Sequence, residues 1–292
     1  MVKKVNKNRA DVLGDRMKSY ESITTKTTLI PNMPVYARID GRAFHRLTKG
    51  LNKPNDIIFS TIMQTICQGL VKETGAILGY VQSDEISLGW EDFTKAPFEG
   101  KLFKLESVLA SMASALFYEA IMVFAMRASE NLLSEDKIDS LTLLMNKLIK
   151  NPVCFDCRVF NVPNMDELAN AFVWREQDAI RNSIQSYGQA NFSHNQLQGK
   201  SCREIKNMLK TEKGIVWDEL DRVLQRGVYV QKELYEEQIS DEIWERIPDK
   251  KKPESRTVIR SKVSYLDLPL MQACQNKVGV YFYKEKPLIY AE

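Results

Sequence analysis

Two short apolar runs in this sequence end on an aspartate. Val35-Tyr-Ala-Arg-Ile-Asp40 is followed at once by Gly41-Arg42, and Gly79-Tyr-Val-Gln-Ser-Asp84 by Glu85-Ile-Ser87. Two carboxylates fixed at strand ends could hold two divalent cations about 3.5–4 Å apart. Oxygen donors suit magnesium, which keeps some of its waters and binds substrate phosphates as well. One ion would activate an attacking hydroxyl, and the other would steady a triphosphate and its leaving group. An acidic hairpin is also a common solvated turn, so the pair has this meaning only in the right structural context.

Other residues extend the same chemistry. Gly41-Arg-Ala-Phe-His45 is a candidate phosphate cradle, because glycine lets the backbone approach and successive N–H groups form an anion nest. An ordinary strand-to-loop turn reads the same way. Lys53 stands just before an expected helix N-terminus, where a triphosphate could bind; a solvated lysine is the plainer account. Gly199-Lys-Ser201 resembles the tail of a P-loop, but the first glycine of that motif would fall on His194, so the match is rejected. His45 and His194 have no nucleophile-elbow sequence near them. Cys154-Phe-Asp-Cys157 is a lone CxxC, and structural zinc usually takes four ligands from two such clusters.

These side chains need a frame. Val35 to Ile39 reads as a buried strand. Lys53-Pro-Asn-Asp56 reads as a helix start, with proline in the first turn and Asp56 complementing the dipole. Ile58, Phe59, Ile62, Met63, Ile66, Leu70 and Val71 recur at helical spacing, and Gly75 is a helix stop. Residues 76–82 and 86–90 read as strands joined through Ser83-Asp84-Glu85. A long helix follows over 101–127, then a polar helix-loop region to Lys150, a strand over 157–162 and a helix over 166–185. The order strand, helix, strand, strand, helix, strand predicts an α+β fold of the ferredoxin-like, split βαβ kind. Its antiparallel sheet would carry helices on one face and leave the other free, with Asp40 and Asp84 at one end.

Two regions are expected. Residues 1–190 form the catalytic domain, opened by a charged helix near 9–20. Residues 191–292 form a mixed α/β extension serving RNA contact or oligomerisation. In the extension an acidic run (Glu233, Glu236, Glu237, Asp241, Glu242, Glu245) precedes a basic one (Lys250, Lys251, Lys252, Arg256, Arg260, Lys262). The basic run is a candidate RNA patch or a solvated loop. Residues 257–265 and 278–283 look β-like.

Bulk properties bound the answer. The 292 residues are 44% hydrophobic and 27% charged, as expected for a soluble globular protein. A net charge of +3 is too small by itself to argue for nucleic acid. Residues 1–9 are polar and lysine-rich, with no signal-like apolar core behind them. Residues 108–126 are the most apolar stretch, but Glu119 interrupts them and their spacing is helical, so they read as a buried helix rather than a membrane span. Five cysteines, an odd number, suggest reduced thiols in a cytoplasm.

Taken in series, these pieces resemble the tRNA(His) guanylyltransferase family and its broader 3′-to-5′ polymerase relatives. The matching segments are Arg38-Ile-Asp-Gly-Arg-Ala-Phe-His45, Lys53-Pro-Asn-Asp56, Gly79-Tyr-Val-Gln-Ser-Asp-Glu85, Phe155-Asp-Cys-Arg158 and Trp174-Arg-Glu-Gln-Asp178. The resemblance implies a polymerase-type palm with two Mg²⁺ held by Asp40, Asp84 and the Gly41 carbonyl. It implies Glu85 as a third acid, and nucleotide binding by Asp40, Gly41, Arg42, Ala43, Phe44, His45, Lys53, Ser83 and Asp84. It further implies GTP and ATP as substrates, activation of a tRNA 5′ end followed by attack of a nucleotide 3′-hydroxyl, and a homotetramer. Eukaryotic members that act on tRNA(His) carry His-Ile-Asn-Asn where this chain reads Ile180-Arg-Asn-Ser183. The relatives that repair truncated 5′ ends lack that motif too, so the repair type is expected. Two other readings use the same residues: a palm-type nucleotide cyclase or dinucleotide synthase, and an RNA-binding protein with a degenerate site.

Overall fold

The computed structural model describes residues 12–92 and 97–290. Its organising element is one six-stranded sheet in the order β4-β1-β3-β2-β5-β6, with every neighbouring pair antiparallel. The strands are β1 (Val35–Gly41), β2 (Leu78–Gln82), β3 (Glu85–Trp90), β4 (Phe155–Asn161), β5 (Val228–Gln238) and β6 (Thr257–Leu266). The helices, in chain order, are α1 (Val12–Thr25), α2 (Phe44–Leu47), α3 (Ile57–Thr74), α4 (Leu102–Ser129), α5 (Glu135–Lys150), α6 (Met165–Asn191), α7 (His194–Leu197), α8 (Cys202–Lys213), α9 (Arg222–Arg226), α10 (Asp241–Arg246) and α11 (Lys277–Tyr283).

Strand alternation sorts the side chains into two layers. Val35, Ala37 and Ile39 of β1, Ile86, Leu88 and Trp90 of β3, and Phe155 and Val159 of β4 face α3 and α4. The apolar stripe of α3 seals that layer, each buried side chain contributing about 1.5–3 kcal/mol. Gly75 ends the helix in a left-handed conformation, as its position predicts. At the other end Pro54 lies ahead of the helix rather than in its first turn, and Asp56 is the cap. Its carboxylate accepts from the Phe59 N–H (3.0 Å), the Asn52 N–H (3.3 Å) and the Ser140 hydroxyl (2.6 Å), joining the helix start to α5.

The opposite face of the sheet is not free. Tyr36, Leu78, Tyr80 and Tyr229 point into a second core closed by Leu168, Ala169 and Phe172 of α6 and by Val280 and Tyr281 of α11. The third core helix roofs this face, which was expected to be free. Residues 278–283 are helical, not β-like: burial of Gly279, Val280 and Tyr281, with Tyr281 Oη 2.9 Å from Tyr229 Oη, outweighs their local strand preference. A third cluster joins the end of α6 to α8 through Ile184, Tyr187, Ile205, Leu209 and Trp217.

Several boundaries move. β1 runs on to Gly41, and the β2–β3 turn has two residues, Ser83 and Asp84, because Glu85 already pairs with Gln82. The Ser/Thr run after Tyr20 is helical through Thr25, while residues 9–11 of the expected N-terminal helix lie outside the described residues. The region before Lys150 contains a 16-residue helix, α5. α4 buries Leu105, Leu109, Ala113, Phe117, Ala120, Ile121 and Phe124, but only 33% of its most apolar window is covered, and Met122 and Met126 are 61% and 63% exposed. Gly199-Lys-Ser201 is a helix start: Ser201 caps α8 in a capping box with Glu204.

The two charged runs of the extension turn out to meet. Beyond Gln231, β5 pairs only with β6, so acid and base lie on adjacent strands. Lys262 lies 3.8 Å from Glu233, and Arg260 pairs with Glu237. Arg256 binds Asp241, and Lys252 binds Asp249 at 2.7 Å. The expected basic patch is therefore largely neutralised within its own hairpin.

Candidate active site

The register of the sheet brings the acids together. Asp40 pairs across to Glu85 on one side and to Asp156 on the other. The Gly41 N–H donates to the Asp84 carbonyl (3.1 Å) and the Arg42 N–H to the Cys154 carbonyl (2.9 Å). The end of β1 is thus tied to both neighbours just where Asp40 and Asp84 meet. Ser83 holds a left-handed turn conformation, and its side chain hydrogen-bonds the Asp84 carboxylate.

Both aspartates titrate above the usual range. Burial is the main cause in each case. The Asp156 carboxylate adds to it for Asp40, and Asp40 adds to it for Asp84. Arg38, Arg158 and Arg175 offset part of the shift at Asp40, and His45 part of it at Asp84. Two desolvated, mutually repelling carboxylates with oxygen-only chemistry fit a hard divalent cation. Among the described residues no group of three or more His, Cys, Asp and Glu side chains forms a ready-made cage. A hard ion here would complete its shell with backbone oxygen, water and substrate phosphate.

This arrangement sets the pH dependence of stability. A carboxyl whose pKa is raised by folding favours the fold while protonated. Its contribution is present in acid and is lost as pH rises through the raised value. Without divalent ions, the melting temperature should carry a component that falls as pH rises above the ordinary carboxylate range. The Asp40→Asn/Asp84→Asn double variant should show less of it, since Glu85 and Glu176 keep their share. Mg²⁺ should stabilise the wild type more at neutral than at acid pH, and thermal melts over this grid check both statements.

The loop after β1 is anchored by an aromatic plug. Phe44 packs against Phe155, Phe117 and Phe59, with ring centroids 5.0, 5.8 and 6.0 Å away. Position 41 must be glycine, since a Cβ there would lie 2.5 Å from the Phe44 ring. Ala43 is left-handed and begins α2 without a side-chain cap. Among the described residues the N–H groups of Ala43, Phe44 and His45 have no protein acceptor. They border a concavity of about 340 Å³ lined by Gly41, Ala43, Phe44, His45, Thr48, Ser83 and Asp84. From below, Lys147 donates to the carbonyls of Arg46 (3.1 Å), Leu47 (2.8 Å) and Lys49. Burial and then Lys49 and Lys53 hold its pKa down, marking a concentration of positive charge beside the loop.

Across Ser83 and Asp84 a second cleft opens, of about 520 Å³. Asp40, Lys53, Asp84 and Glu85 line one side, Asn182, Ser186 and Gln189 of α6 another, and Leu224 and Gly227 a third. Lys53 therefore lines this cleft and not the concavity beside the 41–45 loop, while Arg42 lines a further hollow with Ala43, Phe44, Arg46 and Lys147. Glu85 is engaged. Its oxygens accept from Arg175 Nε (2.5 Å) and Nη2 (2.8 Å), with Arg38 3.9 Å away. Burial nonetheless raises its pKa, against the pull of Arg175. Arg175 also binds Asp178 at 2.9 Å. The Arg175 clamp and the α6 and α9 walls were not among the sequence candidates. All five cysteines are free thiols, with Cys154 exposed and Cys157 half-buried.

Paired acids at a sheet end, an open amide cradle and adjoining lysines are the parts that nucleotidyl transfer to or from a triphosphate requires. Comparisons with known proteins agree. Residues 14–163 match the family model of the tRNAHis guanylyltransferases (Thg1). A bacterial tRNA(His) guanylyltransferase-like protein, solved in complex with ATP, is 33% identical, with a TM-score of 0.69 over 94% of this chain and 100% of that one. The tRNA(His) guanylyltransferase of Schizosaccharomyces pombe is 30% identical over 58% of this chain and 56% of its own length. An uncharacterised protein of Acanthamoeba polyphaga mimivirus is 27% identical over 76% and 77%. The chain belongs to the tRNA(His) guanylyltransferase family and is a nucleotidyltransferase.

Proposed function

We propose that this enzyme adds nucleotides in the 3′-to-5′ direction to the 5′ end of a tRNA, using Mg²⁺, and that it is the type that repairs truncated ends. The observation that carries the reading is the convergence of Asp40 and Asp84 at one end of the sheet, beside the unpartnered amides of residues 43–45. The strand order β4-β1-β3-β2, with α3 and α4 on one face, supports a ferredoxin-like, polymerase-type palm. The relatives solved with ATP and with GTP support triphosphates as substrates.

In this reading Asp40, Asp84 and the Gly41 carbonyl are the metal ligands. Two bound Mg²⁺ would supply charge neutralisation on the phosphates and acidify the attacking hydroxyl. The chain's own residues do the rest. The Ala43, Phe44 and His45 amides receive phosphate oxygens, with Arg42 nearby as a further cation. Ser83 orients the Asp84 carboxylate, and Lys53 meets the triphosphate across the second cleft. Glu85, the third acid, is locked by Arg175 and so fixes α6 over the reacting edge. The repair type is favoured by Ile180, Arg181 and Ser183 in place of His-Ile-Asn-Asn. Ser183 is committed structurally: its Oγ donates to the Leu224 carbonyl (2.6 Å) and receives the Trp217 indole N–H (3.1 Å).

The test supplies Mg²⁺ and all four nucleoside triphosphates, with intact and 5′-truncated tRNAs, and maps the products. Extension of truncated 5′ ends supports the proposal. Cyclic or dinucleotide products formed from triphosphate alone would replace it with the cyclase-type reading, and RNA binding without turnover with a binding role.

We place the enzyme in the cytoplasm as a homotetramer. The open apolar face of α4 (Met122, Val123, Met126) and the projecting β5–β6 hairpin offer surfaces for assembly. Light scattering should give four times the 33.6 kDa chain mass, and Met122→Glu/Met126→Glu should lower it. A monomeric wild type would remove this part of the proposal.

A further inference from the structure

We propose that Trp174 is a stacking platform for the terminal base pair of the RNA whose 5′ end is extended; this rests on the function proposed above. Trp174 lies on α6 and is 47% exposed, whereas Trp90 and Trp217 are buried. The Arg175 guanidinium carbon is 4.7 Å and that of Arg38 5.7 Å from its ring centroid. Both guanidiniums also reach Glu85, the cross-strand partner of Asp40. The indole therefore touches both guanidiniums while about half of the residue stays open to solvent. Arg38 precedes Asp40 by two residues on the same sheet face, about 7 Å along the strand. The ring thus stands on the side of the sheet that Arg38 and Asp40 share.

Location separates this surface from the nucleotide site. Trp174 lines neither the cleft beside the 41–45 loop nor the larger one beyond Ser83 and Asp84. A free nucleotide is normally enclosed in a concave pocket. An open aromatic face suits an exposed base at the end of a helical stem. Such a stack tolerates any sequence, because every base has a π-face. That tolerance matters where each added nucleotide becomes the new end. Arg158 lies opposite Arg38 in the sheet, and Arg181 lies seven residues beyond Trp174, about 10 Å along the same side of α6. Both side chains are more than half exposed, Arg158 beside Asp156 (3.7 Å) and Arg181 bound to Asp178 (2.5 Å), and both stay within reach of phosphates of a stem passing this side of α6.

The experiment uses the full chain and an RNA hairpin with a free end carrying 2-aminopurine at its 5′ terminus. A dumbbell RNA of the same stem, closed at both ends, is the control. The wild type should quench the probe on binding. Trp174→Ala and Trp174→Leu should weaken binding of the open hairpin about 5- to 100-fold, and Trp174→Phe should keep most of it. Leucine retains apolar packing without a planar face, so it separates stacking from a fold defect. All three variants should bind the dumbbell like the wild type and keep the wild-type KM for triphosphate. Unchanged binding of the open hairpin by Trp174→Leu would overturn the proposal. So would an equal loss on the dumbbell, or a raised KM for triphosphate. The binding arm needs no turnover, so an inactive but end-binding wild type would defeat the proposed function and not this inference.

Discussion

Alanine at Asp40 or at Asp84 should abolish nucleotidyl transfer, lowering kcat/KM by about a thousandfold or more, in a protein that remains folded. A metal ion at the reacting phosphates is worth several kcal/mol of transition-state stabilisation, and each 1.36 kcal/mol is tenfold in rate. Neither acid can stand in for the other, because β1 fixes Asp40 and the two-residue turn fixes Asp84. Stability should move the other way. Burial raises both pKa values, with Asp156 adding to it at Asp40 and Asp40 adding to it at Asp84, so the ionised acids strain the fold at neutral pH. The asparagine variants should therefore melt at or above the wild-type temperature without metal, the usual trade of stability for activity. Calorimetry alongside steady-state kinetics checks both signs. Transfer at the wild-type rate in either alanine variant would remove that residue from the proposed metal site.

The largest stability loss is expected at Arg226. Its guanidinium donates to Glu176 Oε1 (2.8 Å) and to the Pro269 and Leu268 carbonyls (both 2.6 Å), while Glu176 Oε2 takes the Met271 N–H (3.0 Å). Glu176 is fully buried, and burial raises its pKa even against Arg226. The Arg226 carbonyl in turn receives the Tyr80 hydroxyl (2.7 Å). One ion pair thus latches α6, α9, β2 and the segment leading to α11. Arg226→Ala leaves a buried carboxylate with one partner, and breaking such a pair costs about 3–5 kcal/mol. In a chain of this size that is a melting-temperature drop of roughly 6–15 °C. Replacing both partners with apolar residues, Glu176→Leu/Arg226→Met, should recover part of the loss, since a packed apolar pair avoids the orphaned charge. Strict additivity of the two single changes would contradict the latch. Because Leu224 and Gly227 also wall the larger cleft, Arg226→Ala should raise the KM for triphosphate as well.

What the sequence made legible was local and periodic. The α3 stripe, the Gly75 stop and the order of the first four strands follow from spacing of two and of three to four, and that order alone puts Asp40 beside Asp84. What it hid was set by partners distant in sequence. Arg175 meets Glu85 across 90 residues, and nothing near either one announces the clamp. A helix over 166–185 was plain, but not which sheet face it would cover. The basic run read as an RNA patch or a solvated loop until the β5–β6 register placed Lys262 opposite Glu233. Residues 278–283 have strand composition, yet the pocket formed by Tyr229 and Phe172 selects a helix that buries Tyr281.

The most direct measurement of the central claim is the fate of a labelled nucleotide given to the wild-type enzyme with a 5′-truncated tRNA, over a titration of Mg²⁺ and after chelation. The account predicts that the label joins the 5′ end, that incorporation rises with Mg²⁺ and stops on chelation, and that Asp84→Asn incorporates nothing at any Mg²⁺ concentration. Label at the 3′ end, incorporation that survives chelation, or transfer by Asp84→Asn would contradict it.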